Sequence, residues 1–170
     1  VDGLCGSGLQ AIVSATQLLM LGDASITLAG GVEVMSNSAH IIQGFRWGTR
    51  MGDGNVHDMM LGALHDPFGH GHMGITAENI SDRYGISRNS QDEFALTSQK
   101  RAGKAINDGL FKEQILPIEI KTRKGVNIFE IDEHPKPETA FETLSNLGTA
   151  FKKEAVATAG NASGSNHGAA

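Results

Sequence analysis

The 170-residue chain is poor in cysteine, proline and aromatic residues: it has one cysteine, Cys5, four prolines, one tryptophan and one tyrosine. A single thiol closes no internal disulfide, so the chain fits a reducing compartment, here expected to be the cytoplasm, and Cys5 can matter only through its reactivity. Basic charge is also scarce. Fourteen Lys and Arg against nineteen Asp and Glu leave a formal charge of −5, which excludes the phosphate-neutralising balance of a nucleic-acid-binding protein. No consecutive apolar run approaches the roughly 18–20 residues of a membrane span, and no basic segment precedes an apolar one at the N-terminus. Neither membrane insertion nor secretion is therefore expected. With 39% hydrophobic and 19% charged residues the composition is that of a globular protein and not of a disordered one. The length suits one domain, or a piece of a larger one.

Glycine is abundant: 22 of 170 residues, against an average near 7%. The glycines show no collagen-like period, so they mark backbone positions that need positive φ or close approach. The first residue is Val1 and the last three are Gly168, Ala169 and Ala170, the start of an apolar element; the chain reads as a piece of a longer polypeptide.

From Ser7 to Leu21, Leu9, Ile12, Val13, Leu19 and Met20 recur at helical spacing, and Leu18 and Leu21 widen the stripe until little polar face remains. This predicts a buried helix, ended by Gly22-Asp23, with a short strand over Ser25–Ala29 after it. Between Ser36 and Met73 no period emerges, but seven glycines (44, 48, 52, 54, 62, 69 and 71) stand among Phe45, Trp47, Met51, Met59, Met60 and Phe68. Such a stretch is expected to be an ordered excursion packed on a partner or ligand. A short helix is predicted over Ile75–Tyr84, stopped by Gly85. A longer one is predicted from the capping box Ser90-Gln91-Asp92-Glu93, carrying a stripe of Phe94, Ala95, Ser98, Ala102, Ala105 and Ile106 and closed by Gly109. Ile115 to Ile120, interrupted by Pro117, reads as an edge strand that turns at Lys124-Gly125 into Val126–Ile131. Pro137–Leu147 should hold a short helix, and Ala155–Gly168 a loop.

Cys5 precedes Gly6-Ser7-Gly8 and the first helix. At a helix N-terminus the unpaired N–H groups favour the thiolate, which is the nucleophile. Two other readings stay open on the residues alone: a small buried hydrophobe, and a dinucleotide-binding α/β domain in which Gly6-x-Gly8-x-x-Ala11 receives a pyrophosphate. Gly69-x-Gly71-x-x-Gly74 repeats the latter pattern after a poor strand. His65, His70 and His72 with Asp66 have ligand chemistry but no helical or strand spacing, and no metal site is expected there. Lys121, Arg123, Lys124 and Lys136 can meet a phosphorylated ligand or simply face solvent. A structural or interaction protein using the Met-rich excursion is a third class.

Leu4-Cys5-Gly6-Ser7-Gly8-Leu9-Gln10-Ala11 resembles the active-site signature of thiolases, acyl-CoA acetyltransferases that form or cleave a 3-ketoacyl-CoA. The resemblance continues, in family order, through Gly30-Gly31-Val32-Glu33-Val34-Met35-Ser36, His72-Met73-Gly74-Ile75-Thr76-Ala77-Glu78-Asn79 and Thr158-Ala159-Gly160-Asn161-Ala162-Ser163-Gly164.

This resemblance implies an α/β fold, part of a layered α/β/α/β/α sandwich. Residues 1–35 and 156–170 would belong to the N-terminal half and 36–155 to a loop domain for oligomerisation and coenzyme A binding. It implies Cys5 as the acetylated nucleophile, Leu64, His72, Met73, Phe151 and Ser163 along the pantetheine, and Lys136 and Thr143 near the nucleotide end. At those last two positions the family often has arginine and serine. It further implies ping-pong transfer with acetyl-CoA as substrate and no resident cofactor, a dimeric or tetrameric parent joined partly through Phe45–Met60, and a preference for short acyl chains from His72-Met73-Gly74. The histidine and second cysteine that move protons in the family come from a later half. Asp2 stands where the family usually has asparagine, and His167 where it has aspartate; both departures bear on local hydrogen bonding.

Overall fold

Alanine and leucine favour the helical state, and the computed structural model, which describes residues 1–170, places helix α1 at Ser7–Leu21. Gly22 ends it at φ +77°, its N–H returning to the carbonyls of Leu18 and Leu19. The boundaries are those the spacing predicts, but the environment is not. No residue of α1 is buried, and Leu9 and Met20 are 70% and 82% exposed. A helix that is apolar nearly all round needs cover on several sides, and these 170 residues cover it only in part. The expectation about membrane spans also needs correction. Ser7, Gln10, Ser14, Thr16 and Gln17 interrupt any consecutive apolar run, yet the stretch Leu4–Leu21 has a mean hydropathy of 1.4 and is long and apolar enough to cross a membrane. The core helix of a larger fold has the same length and composition.

The strand predicted over Ser25–Ala29 does not form. A strand exists through its ladder partner, and none pairs here, leaving Leu28 98% exposed. The first strand is β1 (Val32–Glu33), antiparallel to the chain end at Gly168–Ala169, with Val32 opposite Ala169 and Glu33 opposite Gly168. The excursion that showed no period consists of short pieces. Strand β2 (His40–Ile42) pairs antiparallel with β3 (Val56–Asp58), His40 opposite Asp58. Helix α2 (Met59–Ala63) follows, capped by Asp58, whose carboxylate accepts the Met60 N–H at 2.8 Å. Strands β4 (His65–Asp66) and β5 (Gly71–His72) then form a hairpin with His65 opposite His72. Elements of two to five residues are too short to print a period. All of this lies in one compact unit, Val1–His72 with Ser165–Ala170.

The second unit is Met73–Gly164. Its helix α3 (Met73–Tyr84) stops at Gly85, φ +63°, as expected. Helix α4 (Arg88–Asn107) begins one turn earlier than the predicted capping box: the cap is Ser87, whose Oγ accepts the Ser90 N–H at 3.2 Å. Its packed face also differs from the predicted stripe. Asp92 and Gly103 are buried, whereas Phe94 is 77% exposed, because the ion pair of Arg88 with Asp92 turns that side inward. Strands β6 (Ile118–Thr122) and β7 (Gly125–Phe129) form the expected hairpin, with Ile118 opposite Phe129 and Lys121 opposite Val126. Helix α5 (Phe141–Ser145) is the core of the short helix expected over 137–147. The last strand of the chain, β8, is the Gly168–Ala169 segment of the first unit.

Two apolar residues are buried, Leu144 and Ala157, alongside the polar Glu78, Ser81, Asp92 and Thr158. The best-covered part of the second unit is thus a hydrogen-bonded polar cluster.

Candidate active site

Cys5 sits in the 3-10 turn Leu4–Gly6 that runs directly into α1, and it is exposed. Small polar groups fix this turn. Ser7 Oγ accepts the Gly3 N–H and donates to the Leu4 carbonyl, both at 2.8 Å, and Asp2 Oδ1 accepts the Leu4 N–H at 3.2 Å. That last bond needs only an acceptor, so aspartate serves as well as asparagine, and the departure at Asp2 leaves the turn intact. Leu4 has φ +52°, a left-handed conformation that strains a leucine. Leu4 directly precedes the thiol-bearing residue, Cys5. Side-chain space beside Gly6 and Gly8 is open to at least 4 Å, leaving an approach to the sulfur.

In the second dinucleotide-like pattern, Gly69 and Gly71, at φ +95° and +81°, serve the short β4–β5 hairpin that precedes α3. The histidine group is likewise a hairpin. The His65 and His72 rings meet edge to face with centroids 5.3 Å apart, His65 Nδ1 lies 2.7 Å from the Leu61 carbonyl, and Asp66 Oδ2 accepts the N–H groups of Phe68 and His70. These side chains do not converge on one point. His167 directly precedes β8, whose pairing with β1 is made by backbone groups.

In the first unit, Leu64 is half-buried at the C-cap of α2 and His72 half-buried in β5. In the second, Met73 opens α3 and is 40% exposed. Phe151 packs over Gly74, where an added Cβ would lie 2.3 Å from the ring. Lys136 is anchored through its N–H, which donates to Gln99 Oε1 at 2.7 Å, leaving the ammonium exposed. Thr143 is exposed on α5, and Ser163 is exposed in the 159–164 loop. A concavity of about 780 Å³ along α4 beside Phe94, Arg101 and Phe111 contains none of these residues.

Sequence reasoning missed the groups that hold this loop. Glu78, 1% exposed, accepts the Ala157 N–H at 2.7 Å and the Val156 N–H at 3.1 Å. Asp92, fully buried, accepts from Arg88 Nε at 2.7 Å and Asn161 Nδ2 at 2.8 Å. Asn161 Oδ1 accepts the Thr158 N–H at 2.7 Å. Buried carboxylates on helices look like solvated ones in a sequence; the one signal was the placing of Gly74, Glu78 and Ser81 on one helical face.

Comparison with known proteins is consistent with this arrangement. A family model described as the thiolase N-terminal domain matches residues 1–170. The chain is 52% identical to a beta-ketothiolase, BktB, of Cupriavidus necator and 48% identical to an acetyl-CoA acetyltransferase of Thiocystis violacea, in each case over all of this chain and over 43% and 44% of the relative. It superposes on human mitochondrial 3-ketoacyl-CoA thiolase with a TM-score of 0.93 at 40% identity, covering 99% of this chain and 43% of that one. On the same human enzyme in complex with CoA the TM-score is 0.90 at 38% identity, over 99% and 42%. The fold is therefore the α/β fold of thiolases, and the dinucleotide-binding alternative is set aside. The chain spans about 43% of the length of the relatives it matches, and it belongs to the thiolase family.

Proposed function

We propose that these residues are the nucleophile-bearing part of an acyl-CoA acetyltransferase that condenses two acetyl-CoA molecules or cleaves acetoacetyl-CoA. The observation that carries the reading is the exposed Cys5 at the start of α1, directly after a leucine at φ +52°. Its thiolate attacks the thioester carbonyl, the bond from that carbon to the coenzyme A sulfur breaks, and the departing thiolate takes a proton. An acetyl-Cys5 thioester remains. The backbone N–H of Cys5 is assigned to the oxyanion that forms during attack. In thiolysis the thiol of a second coenzyme A takes the acyl group; in condensation the carbanion of a second acetyl-CoA does. The proton transfers of that half-reaction require groups beyond these 170 residues, since Cys5 is the one thiol present.

Coenzyme A is substrate here and not a resident cofactor. Leu64, His72, Met73, Phe151 and Ser163 are assigned to its pantetheine arm and Lys136 and Thr143 to its nucleotide end; the human relative solved in complex with CoA supports binding of this class of molecule. Residues 1–35 and 156–170 form part of the nucleophile-bearing half, and 36–155 a loop domain. His72 and Met73 narrow the acyl path and favour short chains. The parent is a cytoplasmic dimer or tetramer that binds neither nucleic acid nor membrane, with α1 covered as a core helix. Thiolysis assayed on the full-length polypeptide tests the assignment. Faster cleavage of acetoacetyl-CoA than of long-chain 3-ketoacyl-CoA is expected; the reverse order overturns the chain-length reading, and no cleavage of either overturns the function.

A further inference from the structure

Residues four and about seven or eight apart on a helix stand on one face, and on α3 that face holds Gly74, Glu78, Ser81 and Asp82, the first three buried. The segment 149–158 lies along it as a narrow hairpin. Thr149 bridges Thr158, and the Ala150 N–H donates to the Ala157 carbonyl at 3.0 Å. The hairpin turns back with Glu154 at φ +53°. Three contacts set its register on the helix. The Phe151 ring occupies the space a side chain at position 74 would fill, with ring atoms 2.3–2.4 Å from the Cβ position. The Lys152 ammonium donates to Asp82 at 3.0 Å, in solvent. Between them, the buried Glu78 carboxylate takes the consecutive N–H groups of Val156 and Ala157. The next residue, Thr158, opens the turn that leads to Ser163, its carbonyl accepting the Ala162 N–H at 2.9 Å.

We propose that the Gly74–Glu78 face of α3 is the seat that positions the acyl-CoA-binding hairpin, making Gly74 and Glu78 positioning residues for substrate that do not touch it. The proposal rests on the assignment of Phe151 and Ser163 to the pantetheine. Glu78 Oε1 accepts both N–H groups, at 2.7 and 3.2 Å, and Oε2 accepts the Val156 N–H at 3.1 Å; Glu78→Gln removes the charge that strengthens these bonds and sets an NH2 group against the Val156 N–H in place of one oxygen. Gly74→Ala leaves the carboxylate in place and displaces the Phe151 ring, because no carbon tolerates a contact near 2.3 Å.

The test uses the full-length polypeptide as wild type, Glu78→Gln and Gly74→Ala. It measures kcat and KM for acetoacetyl-CoA thiolysis, and the rate of Cys5 alkylation by iodoacetamide, a reagent too small to need the hairpin. Each variant is expected to raise KM about tenfold while kcat stays within about twofold, the pattern of lost substrate binding, and to leave alkylation unchanged. A purely structural role would lower folded yield, kcat and alkylation together without moving KM, and a wild-type KM in a folded variant overturns the seat. If Glu78→Gln does not fold, Gly74→Ala decides the matter. A wild type that neither turns over nor acetylates Cys5 removes the proposed function and the seat with it. An active wild type with unmoved KM in both variants removes the seat alone.

Discussion

Asn161 and Asp92, 69 positions apart, form the polar centre of the second unit: Nδ2 of the amide donates to Oδ1 of the carboxylate at 2.8 Å. The amide's orientation is fixed, because the same nitrogen donates to the Val156 carbonyl at 3.0 Å while its oxygen accepts the Thr158 N–H at 2.7 Å. Asp92 is fully buried, so an orphaned oxygen there has no water to turn to. Asn161→Ala should cost about 2–4 kcal/mol. Asn161→Asp should cost more, since it sets two carboxylates against each other. Urea unfolding of the two variants checks the order, and equal losses would contradict it.

Arg88 completes the same cluster from the other side. Its Nε donates to Asp92 while its Nη2 donates to the carbonyls of Leu144 and Leu147 at 2.5 and 3.0 Å, closing the end of α5. A lysine ammonium is a single point and cannot span a carboxylate and two carbonyls in that fork. Arg88→Lys is therefore expected to lose about 1.5–3 kcal/mol, in the range for hydrogen bonds to charged groups. Proteolytic nicking near Leu147 should quicken in parallel; unchanged stability and nicking would show the guanidinium to be replaceable.

In the first unit, Phe45, Trp47 and Met51 are 63%, 84% and 96% exposed. Large apolar side chains gathered on one excursion are the composition of interface cores. Placing charge there, as Trp47→Glu or Met51→Glu, should shift the full-length protein toward smaller species in sedimentation velocity without altering its far-ultraviolet dichroism. A full-length wild type that is monomeric at low micromolar concentration would contradict the interface.

The helices were legible because α1, α3 and α4 are long enough to print a period and because Gly22, Gly85 and Gly109 all adopt positive φ beyond their ends. The place of Cys5 ahead of a helix was legible through the glycines around it and the helix that follows. The strand expected at Ser25–Ala29 failed because strand propensity states a need for a neighbour without supplying one. The predicted α4 cap failed because Ser87 and Ser90 both precede helix-forming residues, and spacing alone does not decide which serine has the extended backbone a cap requires. The roles of Glu78 and Asp92 were hidden for a different reason. Apart from Arg88, four positions before Asp92, their partners are backbone groups and an amide more than 60 positions away, which no local pattern encodes.

The 170-residue chain expressed alone should be marginal. Roughly 200–300 Å² of apolar surface left uncovered around α1 costs about 5–8 kcal/mol at ~25 cal/mol per Å², comparable with the whole stability of a domain, about 5–15 kcal/mol. A broad, non-cooperative thermal transition and no thiolysis are expected. A sharp monomeric transition with turnover would show that the chain needs no cover.

The central claim is that Cys5 carries the acyl group, and acetyl labelling of the full-length protein tests it most directly. After brief incubation with radiolabelled acetyl-CoA, one label per chain should appear on the peptide containing Cys5. That label should be released by hydroxylamine and by free coenzyme A. The Cys5→Ser protein should take up none while remaining folded, since only the nucleophilic sulfur is exchanged. Stable label on another residue, or a full acetylation burst in the serine variant, would contradict the account.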